Sequence, residues 1–209
     1  MKFEEMTLRE YLTELGAGTA VPGGGNVAAL CGALAAALST MVAKLTLGRE
    51  KYRPAWEEVG AANDKAEELR ERLIALAQED SDAYLKVMAG YQLPKTTEAE
   101  KARRNEAIQA GLKAAAHAPL ETLRAMDDLM SLADTVLRKG NPNTLTDAGA
   151  AIHLVHSAAY IAAANVRINL ASIDDKVFCA ESRNEVQNLL ESIEARFHAA
   201  CEYFESRLP

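Results

Sequence analysis

The sequence predicts an all-α protein, a bundle of six or seven helices, some of them long, paired about a twofold axis into a dimer. Three observations carry this. Aromatic residues are only 5% of the chain and prolines number six among 209 residues, a composition that favours helices over sheets. Helical spacing of apolar residues runs through residues 54–92 with no proline after Pro54. One stretch, 147–170, is apolar around nearly its whole circumference, yet carries Asp147 at one end and Asn165, Arg167 and Asn169 at the other. Such a helix is expected to be buried, and buried polar groups must be paired or bound. Asp147 and Asn165 are about five helical turns apart, so they share a face but stand ~27 Å apart along the axis. Two copies packed antiparallel about a twofold would place the start of one such helix beside the end of the other. That predicts a dimer with shared sites.

Taken in order, Thr7 and Glu10 fit a capping box for a first helix, which Gly16 ends near Leu15. A loop follows, closing on Val21-Pro22-Gly23-Gly24-Gly25-Asn26. The second helix is expected over 26–47, stopped by Gly48, with Gly32, Ala36 and Ser39/Thr40 allowing close packing of a neighbour. Pro54 suits the first turn of a third helix running to Gln92, as one piece or two stacked pieces. Leu93-Pro94-Lys95 breaks it, and Thr97 can cap a fourth helix over 98–117. Pro119 is expected to restart a fifth, over 119–139. Gly140 and Pro142 stop that one, and Thr146 or Asp147 can cap the 147–170 helix. The last helix is expected over 173–207, bent near Asp174 and Asp175. No linker, low-complexity run or repeat interrupts the chain, so residues 1–209 read as a single domain.

Charge and cysteines limit the function classes. A net charge of −7, from 23 basic and 30 acidic residues, argues against nucleic acid as the main partner. Three cysteines, Cys31, Cys179 and Cys201, are far apart and odd in number, as expected of reduced thiols in the cytoplasm. The first residues do not resemble a signal peptide. The one membrane candidate, 27–42, is short and mostly alanine, glycine and serine, so no span is expected.

The run Pro22-Gly23-Gly24-Gly25-Asn26 stands directly before a helix. Free amides and the helix dipole there suit an anion, and glycines let a ligand approach the backbone. The same run would also serve as a plain cap that permits tight packing. It lacks the Gly-Lys-Ser/Thr of a P-loop. Lys51 and Tyr52, after the second helix, suit a helix C-terminus or a carboxylate tail of a ligand. Asp80, Asp82 and Asp147 are the acid–base candidates, and Tyr84 shares a helix face with Asp80. His153 and His156 have no acidic or cysteine cluster beside them, so no metal site is expected.

Three stretches together resemble the cyclodeaminase/cyclohydrolase family of one-carbon folate enzymes. The first is Val21-Pro22-Gly23-Gly24-Gly25-Asn26-Val27 with Leu45-Thr46-Leu47-Gly48-Arg49-Glu50-Lys51-Tyr52 behind it. The second is Leu93-Pro94-Lys95 after Asp80 and Tyr84. The third is Gly140-Asn141-Pro142-Asn143-Thr144-Leu145-Thr146-Asp147-Ala148-Gly149 with Asn165-Val166-Arg167-Ile168-Asn169. The resemblance covers nearly the whole chain. It implies an all-helical, dimeric fold and a tetrahydrofolate derivative as substrate, with its glutamate tail held by helix N-termini and basic residues, and no further cofactor. It implies a pocket from Gly23, Gly24, Gly25, Asp80, the 141–147 loop with Asn141 and Asp147, Asn165 and Asn169. With Asn26, Lys51, Tyr52 and Tyr84 added from their positions beside these stretches, the expected catalytic residues are Asp147 and Asp80. At Asn26 the family often has serine. The expected activity is formimidoyltetrahydrofolate cyclodeaminase, forming 5,10-methenyltetrahydrofolate and ammonia. The alternatives are methenyltetrahydrofolate cyclohydrolase, forming 10-formyltetrahydrofolate, and a non-catalytic folate-binding helical dimer.

Overall fold

A computed structural model describes residues 2–209. It contains six α-helices and, among the described residues, no strand. They are α1 (Leu8–Leu15), α2 (Gly24–Lys44), α3 (Trp56–Gln92), α4 (Glu98–Lys139), α5 (Leu145–Leu170) and α6 (Lys176–Glu205). The starts follow local chemistry. Thr7 and Thr97 each form a full capping box, with Glu10 and Glu100 respectively, which satisfies two otherwise free amides at each start. Asp175 caps α6, its side chain accepting from the Phe178 amide, so the expected bend at Asp174 and Asp175 is instead the helix boundary. Two other starts differ from expectation. Gly23, not Asn26, is the N-cap of α2. Thr144, not Thr146 or Asp147, precedes α5, because a 3-10 turn over Pro142–Thr144 feeds straight into it.

Pro119 does not restart a helix. It lies inside one continuous helix of 42 residues. A proline at this position has no N–H for the carbonyl four residues back, here Ala115. Asn169 of α5 supplies the missing donor, its Nδ2 lying 2.8 Å from the Ala115 oxygen. The break is mended from another helix.

α4 is the axis of the bundle. Leu123, Met126, Leu129, Met130, Ala133 and Val136 on it are almost wholly buried, and α2, α3, α5 and α6 pack around it. Small residues set the spacings. A Cβ at Gly32 of α2 would collide with Met126 of α4. One at Gly90 of α3 or Gly111 of α4 would crowd the facing backbone at 3.1–3.3 Å, so α3 and α4 cross closely there. α2 runs antiparallel to both α3 and α5: Gly25 faces Asp80 and Gly24 faces Asn165, while Asn141, ahead of α5, bonds to Leu45 and Thr46 past the other end of α2. α2 is long and apolar enough to cross a membrane, and 61% of that apolar window is buried in the bundle.

The expected burial of α5 is only partial within one chain. Ala148, Ala151, Ile152, Val155, Ala158, Ala162 and Val166 face the core, but Tyr160 is 62% and Ile168 69% exposed. Neighbouring α2 also turns apolar side chains outward, with Leu34 50% and Met41 38% exposed, and Leu45 just past its end 38% exposed.

Candidate active site at the start of α2

The first turn of α2 meets the middle of α3 with almost no space between them. Gly25 is buried, and a Cβ on it would stand 2.6 Å from Asp80 Cγ and 2.7 Å from Oδ2. No real contact of that kind survives, so only glycine admits the carboxylate here. The requirement is steric, not conformational. Gly23, Gly24 and Gly25 all avoid the left-handed region, which among the described residues only Gly18 and Gly48 occupy. Gly24 is freer, its nearest neighbours being Asn165 Nδ2 at 3.5 Å and Ile161 Cγ2 at 3.9 Å from an added Cβ. The first turn of α2 thus lies between Asp80 of α3 and Asn165 of α5, with Tyr84 one turn beyond Asp80 and partly exposed.

Burial pushes the Asp80 carboxyl above the usual carboxylate range, and the backbone amide of Asn26 opposes the rise. The start of α2 thus presents its amide to the protein's own carboxylate. This changes the meaning of the glycine run, which sequence reasoning takes as an anion cradle for a ligand. A half-buried carboxylate with no cationic partner among the described residues can bind a cationic group of a ligand or exchange a proton with it.

Other expected site residues have different surroundings. Asn26 is completely buried. Its Oδ1 accepts from Tyr11 Oη at 2.6 Å and its Nδ2 donates to the Ala77 carbonyl at 2.7 Å. Asn141 is buried too, its amide nitrogen donating to Thr46 Oγ1, its Nδ2 to the Leu45 carbonyl, and its Oδ1 accepting from Tyr52 Oη and the Asn143 amide. Asn169 mends the proline gap. The side chains of Asn26, Asn141 and Asn169 are thus committed inside the protein. Asn165 donates to its own Ile161 carbonyl at 2.9 Å and remains half-buried beside Gly24.

Asp147 lies elsewhere. It is half-buried in the first turn of α5, the end that carries Asn141 and Tyr52. Lys51 is exposed there, with its ammonium 4.5 Å above the Tyr52 ring. α2 has 21 residues, so the Asp80 end and the Asn141 end of it are about 30 Å apart. One chain does not bring the two carboxylates together. Sequence reasoning missed Tyr11, whose hydroxyl reaches the site through Asn26, because nothing in the first helix marks which face docks. His153 and His156 pack on Phe197, and His156 pairs with Glu194 at 2.7 Å. Among the described residues no three His, Cys, Asp or Glu side chains are grouped to hold a metal.

Comparison with known proteins places this architecture. The family model described as formiminotransferase-cyclodeaminase matches residues 7–188. A methenyltetrahydrofolate cyclohydrolase from Methylorubrum extorquens is 38% identical over 184 residues, 88% of each chain. The formimidoyltransferase-cyclodeaminase of Rattus norvegicus is 32% identical over 196 residues, which span 94% of this chain and 36% of that longer one. The crystal structure of a formiminotetrahydrofolate cyclodeaminase from Thermotoga maritima superposes with a TM-score of 0.88 at 30% identity, covering 97% of this chain and 98% of that one. With the all-helical order of elements and the glycine-lined carboxylate already described, the chain belongs to the formiminotransferase-cyclodeaminase family.

Proposed function

We propose that this protein acts on a tetrahydrofolate one-carbon derivative and opens the 5,10-methenyl bridge with water, as a methenyltetrahydrofolate cyclohydrolase. The observation that carries the reading is Asp80 against Gly25, a half-buried carboxylate with a raised pKa and no cation of its own. The methenyl bridge is a cationic N–C–N unit, and such a carboxylate suits it by charge. Asp80 takes a proton from the water that attacks the bridge carbon. It returns that proton to N5 as the carbon–N5 bond breaks, and the hydroxyl proton of the intermediate leaves to solvent. The product is the 10-formyl derivative. One carboxylate whose pKa is raised by burial can serve in both steps. The 38% identity to a cyclohydrolase of matching length favours this over deamination.

Cyclodeamination is the second reading, favoured by the superposition on the Thermotoga enzyme. There N10 attacks the amidine carbon held on N5, Asp80 moves the N10 proton toward the leaving nitrogen, and ammonia departs. Either reaction takes the folate as substrate and calls for no other cofactor. Absorbance of the methenyl species separates them. Cyclohydrolase activity removes the signal when methenyltetrahydrofolate is supplied. Cyclodeaminase activity creates it, with ammonia, from the formimidoyl compound. Turnover of neither overturns both readings.

The assembly reading is a twofold dimer. The outward apolar edges of α2 and α5, with Leu34, Met41, Tyr160 and Ile168, support it. Antiparallel pairing across those edges would bring the Asp147, Asn141 and Lys51 end of one chain toward the Asp80 end of its partner. Lys51 would then offer a cation to a carboxylate of the glutamate tail, which can hold more than one glutamate. The three free cysteines fit a cytoplasmic setting.

A further inference from the structure

We propose that Tyr11 is a positioning residue for Asp80, acting through Asn26, so that docking of the N-terminal helix completes the active site. This rests on the assignment of Asp80 as the proton-transfer group. Tyr11 is the only buried residue of α1. Leu8 and Leu12 on the same helix are largely exposed. The helix is therefore anchored chiefly by one ring and one hydroxyl. That hydroxyl donates to Asn26 Oδ1 at 2.6 Å, inside a wholly buried setting.

Asn26 connects three helices. Its side chain donates to the Ala77 carbonyl at 2.7 Å and stands 3.5 Å from Ser81 Oγ. Ala77 and Ser81 flank Asp80 on α3. Its backbone amide faces the Asp80 carboxylate. The side chain thus fixes the first turn of α2 on α3, and the main chain of the same residue meets the reacting group. The Tyr11 hydroxyl and the Ala77 carbonyl together settle which way the Asn26 amide points, because only Oδ1 can accept and only Nδ2 can donate. Burial, aided by nearby Cys31, raises the Tyr11 pKa, which keeps the phenol a donor across the working range.

Removing the hydroxyl leaves a buried Asn26 acceptor unpaired. The side chain then shifts within its remaining bond to the Ala77 carbonyl, and the start of α2 loosens against Asp80. From α2, Gly25 and the Asn26 amide meet Asp80, and Asn165 of α5 lies beside Gly24; none of these carries a titratable side chain. Tyr11 of α1 bonds to the Asn26 side chain, and Cys31 of α2 is near enough to Tyr11 to affect its proton. On α3 itself Glu79, Asp82 and Tyr84 are its near neighbours in sequence. Burial and that amide are the influences on its proton, so a weaker amide contact moves the Asp80 pKa further up.

Tyr11→Phe tests this, because it keeps the ring and deletes one oxygen. The expected result is a fall in kcat of about fivefold with KM nearly unchanged, the loss of one ordinary hydrogen bond. The pH–rate limb that belongs to Asp80 moves upward, and so does its carboxyl titration followed by carbon-13 NMR, with Asp80→Asn assigning the signal. In an Asn26→Ser background the effect of Tyr11→Phe largely disappears, since serine is too short to keep the link. Should Tyr11→Phe not fold, Asn26→Ser alone breaks the link from the other side and must produce the same upward shift. A lower melting temperature with an unmoved pH limb and an unmoved titration overturns the proposal. If the unaltered protein turns over neither folate, the functional reading fails. The NMR titration still decides whether Tyr11 controls Asp80.

Discussion

At the scale of single residues, the site turns on one glycine and one carboxylate. Gly25 has no room for a methyl group because Asp80 fills that space, whereas Gly24 makes only ordinary contacts. Gly25→Ala is therefore expected to displace Asp80 and lower turnover at least about tenfold, and Gly24→Ala to leave turnover within about twofold. Steady-state kinetics on the two variants checks this, and equal losses would show that the glycines serve the ligand instead. Asp80 also makes a pH prediction. Its folded pKa is raised by burial, so between the unfolded and folded values the native state binds more protons, and stability falls as pH rises through that window. Asp80→Asn removes the cost of a buried charge. The variant is expected to melt higher than the parent at neutral pH, with the gain fading below the ordinary carboxylate range, while turnover falls about a hundredfold or more. Thermal melts at pH 3.5 and 7.5 read the difference. The glycine run is conspicuous in sequence, but its partner is not, because the contact depends on where α3 lies against α2. In sequence Asn26 read as a pocket residue beside the glycine run, and neither its burial nor its link to Tyr11 was legible there.

At the scale of elements, the helix starts at Thr7 and Thr97 were legible because a capping box is local chemistry. The continuity of α4 was not. A proline in the middle of a helical pattern normally ends or kinks it, and the residue that relieves it, Asn169, comes from a different helix. The pair is testable. Asn169→Leu removes the donor to the Ala115 carbonyl and is expected to cost about 1 kcal/mol, seen in denaturant titration. Pro119→Ala restores an N–H to the same carbonyl, so in that background Asn169→Leu is expected to cost close to nothing. Additive losses in the double variant would mean that Asn169 stabilises α5 in some other way. The start of α5 teaches a similar lesson. Thr146 and Asp147 both have cap chemistry, yet Asn141 anchors the preceding turn to the end of α2, and so the helix begins two residues before Asp147.

At the scale of the whole molecule, the two acid–base candidates define a problem that one chain does not solve. Asp80 sits at the start of α2 and Asp147 near its far end, about 30 Å away along that helix. The order of helices was readable from periodicity and breakers, and so was the separation of Asp147 from Asn165 along α5. The outward faces of α2 and α5 were harder to read, since an Ala-rich helix is apolar on every side and does not announce which stripe its own chain leaves uncovered. If those stripes pair two chains, each site contains Asp80 of one and Asp147 of the other. Asp80→Asn and Asp147→Asn then each inactivate every site as pure proteins. Mixed in equal amounts and allowed to exchange, half the dimers are hybrids, and each hybrid has one site with both carboxylates intact. Recovery to about a quarter of full turnover is expected, since half the molecules work at half their sites. Asparagine nearly matches aspartate in shape, so neither change is expected to prevent assembly, which light scattering of each protein monitors. No recovery from a mixture shown to have exchanged would remove Asp147 from the shared site. Full activity of Asp147→Asn alone would remove it from the mechanism and leave Asp80 to act with its own chain.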